Sequence, residues 1–387
     1  MAVFVPRSGE SWRDPFGMYA ELRRDDPVHH VVEGDFWVLS RYADVAGAAR
    51  DTATFSSAGG LTFTPSAGES ALVGAFDPMV MQDPPRHTAF RRLVSRGFTP
   101  KQVVELEPQL RAFVVERVER LRSAGGGDVV EELLKPLPSM VVAHYLGVPE
   151  EDRVRFDHWT EAIVAATAQG APMASADAAA EMMAYFTRLV ARRRAEPGED
   201  TVSQLVRAGD DVSVLQVLGF AFTMVTGGND TTTGLLGGAL DLLNRHPEQR
   251  AQLAADLDRA PDAVEELLRM TSPVQGLART TTRPVELHGR TIPEGRRVLL
   301  LYAAANRDGA EFGPDADELR IDRAPQRILT FSHGAHHCLG AAAARLAARV
   351  ALEEILVRCP RFVVDGEAGR YAPGHYVRRF DSLPFSV

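Results

Sequence analysis

The stretch Phe331-Ser-His-Gly-Ala-His-His-Cys-Leu-Gly340 decides how this chain is read. It is a loop with a single cysteine that opens onto a helical pattern over residues 339–357. A thiolate at a helix N-terminus is favoured by free backbone N–H groups and by the positive end of the helix dipole, so Cys338 suits a single axial ligand of a haem iron. Gly334 and Gly340 would let backbone approach a flat macrocycle where a Cβ would clash, and Phe331 would shield the sulfur from water. Two other readings stand beside this one. Cys338 is a plain buried cysteine, a common fate for that residue, or His333, His336, His337 and Cys338 bind zinc or copper. Adjacent His336 and His337 do not turn easily toward one ion, and no second metal-type pair exists elsewhere in the sequence.

Outward from this loop, composition narrows the field. The chain has 387 residues, with 43 Lys+Arg against 52 Asp+Glu, a formal charge of −9 that argues against nucleic acid as a partner. At 45% apolar and 25% charged residues it is a folded chain with a sizeable core. Cys338 and Cys359 are its two cysteines, which excludes a disulfide framework and points to a reducing, cytoplasmic setting. The first ten residues lack the pattern of a secretory signal, so the mature protein is expected to start there.

The longest apolar region, residues 212–243, has the length of a membrane span but is interrupted by Gln216, Asn229, Asp230 and the run Thr231, Thr232, Thr233. It reads as a long helix buried through the middle of the molecule. Two glycines in a helix interior cost roughly 1 kcal/mol each relative to alanine, and three successive threonines are poor helix formers. Gly227 and Gly228 are therefore expected to make room for a ligand, with Asp230 and Thr231 placing a carboxyl and a hydroxyl beside it. Close helix packing through small residues is the alternative.

Helices are expected over 15–24 and 41–50, with two strands around Glu33-Gly34-Asp35 between them. A long irregular loop covers 56–85, and helical pattern fills most of 87–243. Strands are expected at 285–287 and 297–301, around Gly289 and Pro293-Glu-Gly295, and two short strands close the chain. This is a single mixed domain over 1–387, mainly α with a small β part (α+β).

The pattern Phe331-x-x-Gly334-x-His336-x-Cys338-x-Gly340 resembles the haem-ligand loop of the cytochrome P-450 family. Glu266-x-x-Arg269 resembles the family's Glu-x-x-Arg motif, and Gly227-Gly228-Asn229-Asp230-Thr231-Thr232 resembles its oxygen-activating helix motif. The resemblance runs from about residue 15 to the C-terminus and fits the soluble bacterial type. Met270 stands where an aromatic residue is frequent, and Leu319 where Phe is usual.

The resemblance implies a haem-thiolate monooxygenase with heme b bound through Cys338 and dioxygen as co-substrate. It assigns proton delivery to Asp230 and Thr231, and the haem propionates to His87, Arg91, Arg279 and His336. Arg323 is expected to join Glu266 and Arg269 in a buried structural network. By family topology the substrate pocket takes Leu61, Phe63, Leu72, Val73, Phe76 and Met79 from the long loop, a lid near Met173 and Met182, Thr223 and Thr226 from the central helix, Val274 to Leu277, and Tyr376. Such side chains suit an apolar, medium-sized substrate. A haem domain that consumes the chain implies electrons from a separate ferredoxin and ferredoxin reductase, with Arg92, Arg96, Arg345 and Arg349 as the docking cations. A haem protein that binds without turnover is a second reading, and a family enzyme of phenolic coupling or dehydration a third.

Overall fold

The computed structural model describes residues 2–64, 77–168, 172–208 and 212–387. In chain order its main helices are α1 (Phe16–Asp25), α2 (Tyr42–Arg50), α3 (Arg86–Val94), α4 (Pro100–Ala124), α5 (Pro136–Leu146), α6 (Arg153–Ala168), α7 (Ala176–Ala195) and α8 (Thr201–Arg207). They continue with α9 (Val214–Arg245), α10 (Pro247–Ala255), α11 (Ala260–Thr271) and α12 (Ala341–Arg358). None of the described helices is long and apolar enough to cross a membrane.

Local chemistry sets the ends of the long helices. Ser213 accepts from the backbone N–H of Gln216 while the Gln216 side chain accepts from the N–H of Ser213, so the glutamine that interrupts the apolar run is the start signal of α9. Thr99 and Gln102 start α4 in the same way, and Gly125, at φ 76°, ends it in the left-handed region where glycine carries no Cβ penalty. From Thr232 to Leu243 every residue of α9 is buried. Its C-terminal half shares one apolar core with α4, α5, α11 and α12. Its N-terminal half packs with α6, α7 and α8 in a second.

The β part is small and mostly non-local. Strands β1 (Val28–Val31), β2 (Phe36–Leu39), β3 (Phe55–Ser56), β5 (Leu277–Thr281) and β8 (Arg297–Leu300) form one sheet in the order β1-β2-β8-β5-β3, with β4 (Gly126–Asp128) lying elsewhere. β2 and β8 run parallel, Phe36 opposite Arg297, and the other neighbours are antiparallel. The strands expected at 285–287 and 297–301 are both present, and they belong to different sheets. β6 (Val285–Leu287) turns through Gly289 at φ 73° into β7 (Arg290–Ile292), and β8 leaves for the larger sheet. Four short strands close the chain instead of two: β9 (Val363–Val364), β10 (Arg370–Tyr371), β11 (Phe380–Ser382) and β12 (Pro384–Ser386).

Glu266 and Arg269 lie one turn apart on α11, both fully buried, and meet through paired contacts of 2.7 Å. Arg323 Nε and the backbone N–H of Arg320 also donate to Glu266, while Arg269 donates to the carbonyls of Asn306 and Ala316. A buried ion pair is tolerable only when its remaining donors and acceptors are satisfied in this way. The network pins α11 to the irregular segment that leads into the cysteine loop.

Candidate active site

Cys338 lies two residues before Gly340, the N-cap of α12, and its backbone N–H donates to the carbonyl of Phe331 at 2.9 Å. Burial pushes its thiol up, while the Gly340 N–H, Arg91 and Arg345 act in the opposite direction. The net shift is upward, opposite in sign to the helix-start effect expected from sequence. The side chain itself is accessible. Phe331 is half-buried with the Arg345 guanidinium 4.5 Å from its ring centre.

The multi-histidine reading has no geometry to support it. His333 Nε2 faces the Tyr42 hydroxyl at 3.3 Å and His336 Nε2 faces the Ser57 hydroxyl at 3.2 Å. Among the described residues no three His, Cys, Asp or Glu side chains are grouped to hold one ion.

Gly334 differs from expectation. It sits at φ +70°, and a Cβ there would lie 3.0 Å from the carbonyl oxygen of Ala49, so its smallness serves the packing of the loop on α2. Gly340 has open space where its Cβ would be.

His87, Arg91, Arg279 and His336 come from three distant parts of the sequence and meet here. The His87 and His336 rings lie 4.2 Å apart, and both ring nitrogens of buried His87 lack a partner among the described residues. Among the described residues Arg91 donates to the carbonyl of His337, at 2.5 Å, and buried Arg279 to its neighbour's carbonyl, at 2.7 Å. Burial, then Arg279, His87 and Arg91, push His336 down to about 3. A buried group of donors and cations that repel one another, with no carboxylate bonded to any of them among the described residues, fits the carboxylates of a bound cofactor. Together with one accessible thiol, this is the donor set a haem with two propionates requires.

On α9, Thr223, Thr226, Gly227, Asp230 and Thr231 retain accessible surface, while Val225, Asn229 and Thr232 are buried. The spacing of three and four residues puts these accessible positions on one helix face. A Cβ on Gly227 would meet nothing within 4 Å, whereas one on Gly228 would lie 2.8 Å from Val142. The expectation that both glycines make room for a ligand is thus corrected: Gly227 faces open space and Gly228 packs against α5. The hydroxyls of Thr223, Thr226 and Thr231 donate back to carbonyls four residues earlier, at 2.8, 3.0 and 2.9 Å.

Asp230 accepts from Arg379 Nε at 2.6 Å, yet burial pushes its carboxyl up to about 6 against the pull of Arg379 and Lys135. Arg379 and Lys135 are functional candidates that the sequence reading missed. They are far from Asp230 along the chain, and no motif links them to it.

The expected substrate-contact residues divide. Leu61, Phe63, Val274, Leu277 and Tyr376 are brought together. The Leu61 carbonyl accepts from Ala278 N–H at 2.7 Å, Phe63 N–H donates to the Tyr376 hydroxyl at 3.2 Å, and Val274 bridges Val377. Phe63 is itself buried, its ring 4.8 Å from that of Phe36. Met79 and Met182 belong to the apolar cluster around the N-terminal half of α9. Leu72, Val73 and Phe76, and the side chain of Met173, lie outside the described residues.

Comparison with known proteins decides the family. Residues 77–367 match the family described as Cytochrome P450. The chain belongs to the cytochrome P450 family. It is 61% identical to Cytochrome P450 130 of Mycobacterium tuberculosis over 99% of this chain and 98% of that one. It is 37% identical to the cytochrome P450 monooxygenase PikC of Streptomyces venezuelae over 96% of this chain and 90% of that one. Among solved structures, the cytochrome P450 CYP268A2 of Mycobacterium marinum in complex with pseudoionone superposes with a TM-score of 0.87 at 32% identity, covering 97% and 96% of the two chains. This cytochrome P450 is therefore an oxidoreductase that incorporates molecular oxygen, with heme b as cofactor and dioxygen as co-substrate.

Proposed function

We propose that the chain, as a single haem domain over residues 1–387, inserts one atom of dioxygen into an apolar, medium-sized organic substrate with electrons from a separate ferredoxin and its NAD(P)H-dependent reductase. The observation that carries this reading is the accessible stripe on α9, where a carboxyl and a hydroxyl share one face with Gly227. In this reading Cys338 holds the iron, His87, Arg91, Arg279 and His336 hold the propionates, and Phe331, Gly334 and Gly340 shape the ligand loop. When bound, the haem supplies dioxygen activation, and electron donation from its thiolate ligand favours O–O cleavage.

The chain's own residues bind, orient and move protons. Asp230 sits where burial disfavours its charge, so it accepts a proton readily near neutral pH. Thr231 Oγ1, which donates to the Gly227 carbonyl, needs only a rotation about χ1 to redirect its proton into the space beside Gly227. Thr223 and Thr226 spend their hydroxyls on the helix backbone and present methyl groups, which supports an apolar substrate face. Leu61, Val274, Leu277 and Tyr376 extend that face from the sheet side.

An acidic ferredoxin suits the exposed Arg92 and Arg96, which carry no ion pair among the described residues. Arg345 and Arg349 suit it less, because Glu265 holds the first and Glu107 and Glu353 hold the second.

The test is a spectral screen of the ferric protein with pseudoionone, the ligand of the solved mycobacterial relative, and with other apolar organic molecules of similar size. Ligands that displace water from the iron would then be turned over under isotopically labelled dioxygen. The expected result is one labelled oxygen atom in the product. Turnover to a coupled or dehydrated product without label would overturn the proposal.

A further inference from the structure

Burial alternates along the first residues of the chain. Phe4 is 7% exposed, between Val3 at 58% and Val5 at 48%. Its ring meets Phe36 of β2 at 6.0 Å and Phe63 at 6.5 Å, both edge to face, an arrangement in which aromatic pairs attract. Phe63 also lies 5.2 Å from the Tyr376 ring, whose hydroxyl accepts its N–H. Phe4, Phe36 and Phe63 belong to one apolar cluster, and Tyr376 packs against it.

The residues that follow Phe4 grip the loop that carries Tyr376. That loop, residues 372–379, joins β10 to β11. Gly9 N–H donates to the Ala372 carbonyl at 3.1 Å, Ser8 Oγ accepts from Gly374 N–H at 2.9 Å, and Trp12 Nε1 donates to the Gly374 carbonyl at 2.9 Å. His375 Nδ1 lies 2.9 Å from the Arg7 carbonyl, and Glu10 accepts from Tyr371 N–H at 2.9 Å. Trp12 is fully buried, and its carbonyl accepts from buried Arg378 at 2.7 Å. Two expected substrate contacts, Phe63 and Tyr376, thus share one support, which comes from the other end of the chain. A side chain that meets substrate keeps its place only while the groups behind it keep theirs.

We propose that residues 2–12, anchored by Phe4, are a specificity element: they set the positions of Phe63 and Tyr376, and so decide which apolar substrates fit and which of their carbons is presented for oxygenation. Phe4 is a positioning residue, buried behind the wall of the substrate space and acting through Phe63. The inference rests on Phe63 and Tyr376 being substrate contacts of the reaction proposed above.

The test sets Phe4→Ala beside Phe63→Ala and the double variant, with Val3→Ala as the control at an exposed neighbour. In the ferric holoenzyme without ligand, Phe4→Ala should quicken hydrogen–deuterium exchange of residues 58–64 and 372–378 and leave α9 unchanged. Phe4→Leu, which keeps much of the apolar volume, should show the same change at smaller size, and Val3→Ala should show none. For pseudoionone and the other ligands of the spectral screen, Phe4→Ala should shift affinities unequally, by up to about fivefold, and spread oxygenation over more carbon positions. The Soret band of the reduced carbon-monoxide complex should stay in place. Because Phe4 acts through Phe63, the double variant should be no worse than Phe63→Ala alone, whereas a general loss of stability would add to it. Unchanged exchange in both segments, or additive effects on affinity, overturns the proposal. A normal Phe4→Ala beside an impaired Phe63→Ala overturns the specificity element alone. A normal Phe63→Ala overturns Phe63 as a substrate contact, and the specificity element with it.

Discussion

Thr231 and Thr232 are adjacent and chemically identical, and the fold gives them different surroundings. Thr231 lies on the accessible stripe of α9, whereas Thr232 is 7% exposed and donates to the carbonyl of Gly228 at 3.2 Å. One position is a rotation of about 100° around the helix. Thr231→Ala should keep consuming NADH with more hydrogen peroxide and roughly tenfold less product, about 1.4 kcal/mol of lost discrimination. Thr232→Ala should be much milder. Equal effects in a peroxide and product assay would move the role to Asp230 and ordered water. Cys338 offers an equally sharp test. No other cysteine stands at a helix start, and Cys359 is buried at the far end of α12. Cys338→Ser should therefore lose the red-shifted Soret band of the reduced carbon-monoxide complex, and a variant that kept it would refute the ligand assignment.

At the scale of elements, α9 carries two adjacent glycines with opposite tasks. Alanine is favoured over glycine in a helix interior by roughly 0.5–1 kcal/mol. Gly227→Ala meets no neighbour, so it should raise the melting temperature of the ligand-free protein while weakening binding of small ligands to the iron. Gly228→Ala should lose that gain, because its new methyl presses on Val142. Thermal unfolding and carbon-monoxide titration of both variants check this. The Glu266–Arg269 pair in α11 makes a second test, since removing one member leaves the other charge buried at a cost of about 3–5 kcal/mol. Glu266→Gln should lower the melting temperature strongly and release haem, although neither residue belongs to the reacting groups. The same change at Glu116, whose exposed pair with Arg120 lies on the surface of α4, should leave both unchanged.

Across the whole molecule, charge is arranged unevenly. The chain is acidic overall at −9, yet Arg92 and Arg96 stand exposed and unpaired among the described residues, on α3 and the turn after it. The cations of α12 are instead spent on holding helices together. Arg111 of α4 meets Glu353 at 2.6 Å, and Arg349 meets Glu107 at 2.5 Å, so the two helices are laced by ion pairs. Steering of a partner by exposed charge weakens with salt, and burying charges in a lattice of pairs removes them from that task. Arg92→Glu should slow electron transfer from an acidic ferredoxin and flatten its salt dependence, measured by stopped-flow reduction. Arg349→Glu should lower thermal stability first.

Local rules were enough for much of this protein. The cysteine loop, the buried central helix and the Glu-x-x-Arg pair are patterns of neighbouring residues, and their physics acts over a turn or two of chain. Together they carry the resemblance that implies a haem-binding chain. What the sequence left open was set by contacts between distant segments. β8 pairs with β2 and β5 because burial of Val298 and Leu300 within that sheet decides the partner, and no turn signal encodes it. Gly334 serves α2, and Gly228 serves α5, because an absent Cβ does not declare in sequence what fills its place. Arg379 reaches Asp230 only after the C-terminal strands fold back over α9, and the low polarity of that site, a property of packing, is what lifts the carboxyl of Asp230 into the range where protons are exchanged near neutral pH.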